Sequence, residues 1–98
     1  MANSAKSAAF LIESRLADAA AGDVQALFEL GVLYSTGSQN VTVDLIEAHK
    51  WFNLAAVAGH ADGHACRADI SDEMSARDIA MAQRDARSWL QAQRSHAA

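Results

Sequence analysis

Between Gly22 and Gly59 the chain reads GDVQALFELGVLYSTGSQNVTVDLIEAHKWFNLAAVAG, two runs at helical spacing joined by a short polar loop. Leu27, Leu30, Gly31 and Tyr34 fall on one side of the first run, and Ala48, Trp51, Phe52, Ala55 and Ala56 on one side of the second. Apolar residues returning at three- and four-residue steps mark amphipathic helices. Gly31 stands in mid-helix, where glycine costs about 1 kcal/mol relative to alanine. Such a residue implies that another backbone or a large ring comes close. Burying Trp51 would remove about 150–250 Å² from water, worth roughly 4–6 kcal/mol before entropy is subtracted.

Similar patterns flank this stretch. Residues 3–21 read as a first helix, with Ala9, Ile12, Leu16, Ala19 and Ala20 on one face. Gly22 suits its C-terminal cap, and Asp23 the N-cap of the next helix, Val24 to Ser35. Gly37 ends that helix, Ser38 to Thr42 form the polar loop, and Asp44 caps a third helix from Leu45 to Ala58. A weaker fourth helix is expected over Asp62 to Asp72, with Gly63 inside it and Ile70 as its only large apolar residue. Ser75 and Asp78 resemble a capping box. A last helix then runs to about Gln93, with Ile79, Ala82, Ala86, Trp89 and Leu90 at helical spacing and a frayed tail from Ser95 to Ala98. No proline interrupts the 98 residues and much of the 51% apolar content is alanine, the best helix former. One all-α domain of about five helices follows.

Charge and composition exclude several roles. The net charge of −4 is spread among arginines with no basic stripe, so a nucleic-acid partner is not expected. The apolar run from Ala8 to Ile12 is too short for the apolar region of a signal peptide, about 7–15 residues, and no stretch reaches the roughly 20 of a membrane span. One cysteine, Cys66, cannot form an internal disulfide and fits a reducing compartment. A cytoplasmic protein without a membrane partner is the expectation.

The chain also repeats itself. ADAAAG at Ala17–Gly22 returns 37 residues later as LAAVAG at Leu54–Gly59, and the pair Ala48 and Trp51 returns 38 residues later as Ala86 and Trp89. A period in the high thirties built from two antiparallel helices marks a helical solenoid. Residues 1–21 would be an N-terminal capping helix, 22–59 one complete repeat, and 60–98 a degenerate repeat with a C-terminal capping helix. Ala19, Gly22, Asp23, Ala26, Leu30, Gly31, Leu33, Tyr34 and Gly37, followed by Asp44, Ala48, Trp51, Phe52, Ala55, Ala56 and Gly59, resemble a Sel1-like repeat, a variant of the tetratricopeptide repeat. Two departures stand out. Ser38 to Thr42 replaces the family's usual glycine-valine, and RADIS at Arg67 to Ser71 lacks the Leu-Gly-x-Leu-Tyr core.

The resemblance implies a short right-handed helical-hairpin solenoid, an α/α superhelix whose concave face binds a protein or peptide as a non-catalytic scaffold. By that analogy the outward positions of the second helix are Gln25, Phe28, Val32, Ser35 and Thr36, with Phe28 and Val32 as an apolar anchor for a partner helix or peptide. The competing assignment packs Phe28 on the first or the last helix. Fewer than two recognisable repeats leave helix faces exposed, which favours a homo-oligomer or docking on a larger complex.

The other candidate chemistry is a small ligand or metal at His60, His64 and Cys66. His60 and His64 stand four apart, which on a helix places both on one face. Against it, His60 occupies the family's turn position and His64 a surface helix. Asp69, Asp72 and Glu73 read as a solvated helix end, His49 and Lys50 as solvent-facing, and Arg77, Arg84 and Arg87 as partners of Asp78 and Asp85 in local ion pairs. No motif for catalysis or cofactor binding is present, so no cofactor is expected and the chain is not expected to be an enzyme.

Overall fold

The computed structural model describes residues 4–97. Five helices carry almost all of them: α1 (Ser4–Ala20), α2 (Val24–Thr36), α3 (Leu45–Val57), α4 (Ala61–Ser71) and α5 (Ala76–Ala97), with one 3₁₀ turn (Ser38–Asn40) after α2. No strand occurs among the described residues. The all-α expectation holds, and most helix ends fall within a residue or two of those read from the sequence. The exception is the C-terminus, where α5 continues through the segment expected to fray; Met1 to Asn3 and Ala98 lie outside the described residues.

Side-chain caps set the starts of the helices. Asp23 Oδ1 accepts the Ala26 amide at 3.3 Å, Asp44 Oδ1 accepts the Glu47 amide at 3.1 Å, and Ser75 Oγ accepts the Asp78 amide at 3.0 Å. Each satisfies a backbone donor that the first turn leaves without a partner.

The turn after α1 is repeated after α3. In the first, Asp23 N donates to Asp18 O at 3.0 Å and Gly22 N to Ala19 O at 3.0 Å; in the second, His60 N donates to Ala55 O at 2.9 Å and Gly59 N to Ala56 O at 3.0 Å. Gly22 and Gly59 supply the positive φ that such a turn needs, +99° and +98°, where a side chain would be strained. The cap beyond the turn recurs too, because His60 Nδ1 accepts the Gly63 amide at 3.1 Å as Asp23 accepts that of Ala26.

α3 is the hub. It packs against α2, α4 and α5, and α1 packs against α2. One core cluster joins Ala19, Leu27, Leu30, Trp51, Leu54 and Ala86 across α1, α2, α3 and α5. A second gathers Ala48, Phe52 and Ile70 of α3 and α4. Two glycines set the helix spacing. A Cβ on Gly31 would lie 2.9 Å from Phe52 Cγ, and one on Gly63 2.9 Å from Ala55 Cβ and 3.2 Å from Phe52 O. Gly63 therefore seats α4 on α3, which the weak pattern of that helix did not reveal. α5 leaves α4 almost untouched and lies along α3, where Trp89 meets Trp51 edge to face with ring centroids 5.6 Å apart.

Several sequence expectations need correction. On α1 the buried positions are Ala8 and Ala19, while Ala9 and Ala20 are exposed, because alanines surround that helix and blur its period. Leu33 and Leu54 are buried although neither was assigned to the core. The polar loop is anchored by buried Val41, which packs with Ala8 and Leu33. His49 does not face solvent: it is 2% exposed. Lys50 is half-buried, its ammonium 4.4 Å from the centroid of the Trp51 ring and 3.5 Å from Glu47 Oε1. That same carboxylate accepts the Trp51 indole N–H at 3.2 Å. The ion pairs expected along α5 do not form among the described residues; the pairs present are Arg15–Asp18, Arg15–Glu29 and Lys50–Glu47.

Candidate interaction groove

α1 and α2 pack side by side and leave a groove of about 320 Å³ between them. Leu11 and Arg15 form its α1 wall, Phe28, Glu29, Val32 and Leu33 its α2 wall, and Gln39 closes one end. Phe28, Val32 and Leu11 are half-buried, so the groove presents apolar surface that the core does not consume. Its rim is charged and braced, because Arg15 Nη1 donates to Glu29 Oε1 at 3.0 Å across the two helices and Arg15 Nη2 lies 3.4 Å from Asp18 Oδ2. Gln39 reaches the end of the groove from a left-handed backbone (φ +57°) in the 3₁₀ turn.

Of the five positions expected to bind a partner, Phe28 and Val32 line this groove. Phe28 also serves the fold. Its ring stacks on His60 with centroids 4.3 Å apart and an interplanar angle of 11°, and it is tilted against Phe52 at 5.7 Å. It packs on neither the first nor the last helix through these rings, but on α3 and the start of α4. Val32 contacts the cluster around Phe52. Gln25 is exposed, with Oε1 3.0 Å from His60 Nε2. Ser35 and Thr36 finish the helix, both hydroxyls donating to Val32 O, at 3.2 and 2.7 Å, and Thr36 Oγ1 also contacts Ser38 Oγ. The structure thus gathers Phe28 and Val32 with Leu11, Arg15, Glu29, Leu33 and Gln39, and ties Gln25 to His60 and the hydroxyls of Ser35 and Thr36 to Val32 O.

The His60, His64 and Cys66 set is not brought together. His60 has extended backbone angles, φ −84° and ψ 107°, because it is the N-cap of α4. It therefore does not share a helix face with His64. With Nδ1 accepting the Gly63 amide, its proton sits on Nε2 and is donated to Gln25 Oε1. His64 Nδ1 is 2.7 Å from Arg67 Nη2, and Arg67 Nη1 also bonds Asn53 Oδ1 of α3. The Cys66 thiol packs toward Phe52 and Ile70; burial pushes its pKa up, with Asp69 and Asp62 adding to the effect. Among the described residues no group of three or more His, Cys, Asp or Glu side chains is placed to hold a metal ion.

The α3–α4 seam holds a buried imidazole, that of His49. Burial lowers the pKa of His49, and the charge of Arg67 lowers it further. Its Nδ1 is enclosed with no hydrogen-bond partner among the described residues, an arrangement that disfavours a second ring proton.

Five helices with α3 as their hub and an apolar groove between α1 and α2 define an all-helical protein with a cleft on its surface. Comparison with protein-family models, curated proteins and solved structures returns no match to this chain. No helix among the described residues is long and apolar enough to cross a membrane.

Proposed function

We propose that this chain is a non-catalytic protein-interaction module, a short helical-repeat scaffold that receives an apolar peptide or helix of a protein partner in the α1–α2 groove. The observation that carries this reading is the apolar lining of that groove, where Leu11, Phe28 and Val32 remain half-buried beside the Arg15–Glu29 pair. A helix or extended peptide placing one or two large apolar side chains there would remove them from water while its polar groups met the charged rim. Hydrogen bonding that recurs 37 residues apart at Gly22 and Gly59 supports an internal repeat, which we read as a Sel1-like, right-handed one. The free thiol Cys66 suits a cytoplasmic setting.

The test is selection of displayed peptides on the folded domain, followed by amide chemical-shift mapping of the tightest binder. Shifts concentrated at residues 11–15, 28–33 and 39 are expected. Binding that maps to another face, or that survives Leu11→Lys in a folded variant, overturns the assignment. Replacing Phe28 is a poor test, because its contacts with His60 and Phe52 make it part of the core.

A further inference from the structure

The outward faces of α4 and α5 carry opposite charges at one spacing. On α4 these are Asp62, Asp69 and Asp72, the last at the helix cap; on α5 they are Arg77, Arg84 and Arg87, and all six are exposed. In both sets the charges follow an i, i+7, i+10 pattern, so each aspartate precedes its counterpart arginine by the same number of residues. Over about 15 Å of helix the two rows would match in parallel alignment. Within one molecule they do not meet, because α5 lies along α3 and barely touches α4. None of the six is in an ion pair among the described residues.

Local helix energetics do not account for three of these charges. Asp69 and Asp72 stand at the C-terminal end of α4 and Arg77 in the first turn of α5, each where the helix dipole disfavours that sign. On these faces exposed Ala65 stands between Asp62 and Asp69, and exposed Ala80 stands between Arg77 and Arg84. Small residues let two helix axes approach closely.

The geometry points to self-association through this pair of surfaces, with the α4 aspartate row of one copy against the α5 arginine row of a second. Two equivalent contacts would close a two-fold dimer; one contact per molecule would give a head-to-tail chain. The occupant is a second copy because the complementary row is present on the same chain at the same spacing. The contact is independent of the α1–α2 groove and uses none of its residues.

Sedimentation velocity over a concentration series tests it. Association is expected at an ionic strength of about 0.01 M, where charges are felt over about 30 Å, and should be lost near 1 M, where that length is about 3 Å. Arg84→Glu/Arg87→Glu and Asp69→Arg/Asp72→Arg should each sediment as monomers, the Kd rising about tenfold or more, with unchanged helical circular dichroism. Mixing the two reversed variants should restore association, because each then presents the row the other needs. Arg84→Gln/Arg87→Gln, which removes charge without reversing it, should weaken association less than the reversal. A wild-type chain that stays monomeric at low salt overturns the inference. So does association that persists in either folded reversed variant, or a mixture that remains monomeric.

Discussion

The ring of Phe52 fills the space that a side chain on Gly31 would need: a Cβ there would fall 2.5 Å from Cε1 and 2.9 Å from Cγ. Phe52 is 1% exposed and packs with Ile70 of α4. Gly31→Ala gains up to about 1 kcal/mol of helix propensity, but overpacking a filled core typically costs about 1–3 kcal/mol. A net loss is expected in urea unfolding followed by circular dichroism, and Gly31→Leu should not yield a cooperatively folded domain. An alanine variant as stable as the wild type would mean that the ring can move aside.

Trp89 ties α5 to the rest of the fold through its contact with Trp51 and the surrounding cluster. Trp89→Ala should cost about 3 kcal/mol, the lower end for a large aromatic because the ring is only half-buried. If α5 folds as one unit with the other helices, the variant should keep a single, earlier transition. Two separated transitions would show instead that α5 is an independent appendage.

His49 makes stability acid-sensitive. Its pKa is lowered in the folded state by burial and by Arg67, so below about pH 6.5 the unfolded chain binds the proton more readily. The stabilisation is whole above that value and is lost as pH falls through the lower folded pKa. In urea titrations from about pH 7.5 to about pH 5, the wild type should lose stability more steeply than His49→Gln. Taking the difference between the two isolates the contribution of His49. Parallel pH profiles would mean that His49 accepts a proton in place.

His60 caps α4 and stacks on Phe28. His60→Ala removes both and should lower stability by about 1–2 kcal/mol. His60→Asn, which can accept the Gly63 amide but cannot stack, should recover part of that loss. Equal melting of the two variants would show that the cap contributes nothing.

The Cys66 thiol is raised above its ordinary pKa by burial, and the thiolate is the reactive form. Alkylation by iodoacetamide near pH 8 should therefore run several-fold slower in the folded chain than in urea. Equal rates would place the thiol in solvent.

The strongest periodicities, on α2 and α3, made their boundaries and the close approach at Gly31 legible in the sequence. The face of α1 was not, because Phe10, Leu11 and Ile12 run around the helix and alanine lies on its other sides, which leaves its phase unset. His49 could not be read as buried from a polar residue on a half-apolar helix. Its burial follows from α4 covering a further side of α3, which Gly63 and Arg67 bring about from a distance in sequence. The groove was half legible in the same sense. Phe28 and Val32 stand out on α2, whereas Leu11, Arg15 and Gln39 join them only through how α1 and the 3₁₀ turn lie beside that helix.

Because the turn at Gly22 and the turn at Gly59 share their hydrogen bonds and their caps, the segment from Gly22 to Ala58 begins and ends at equivalent joints. A second copy of that segment could be spliced in after Ala58 with each junction keeping its native neighbours. Such a duplication would add one hairpin, and the added unit would carry its own contact between Gly31 and the Phe52 ring.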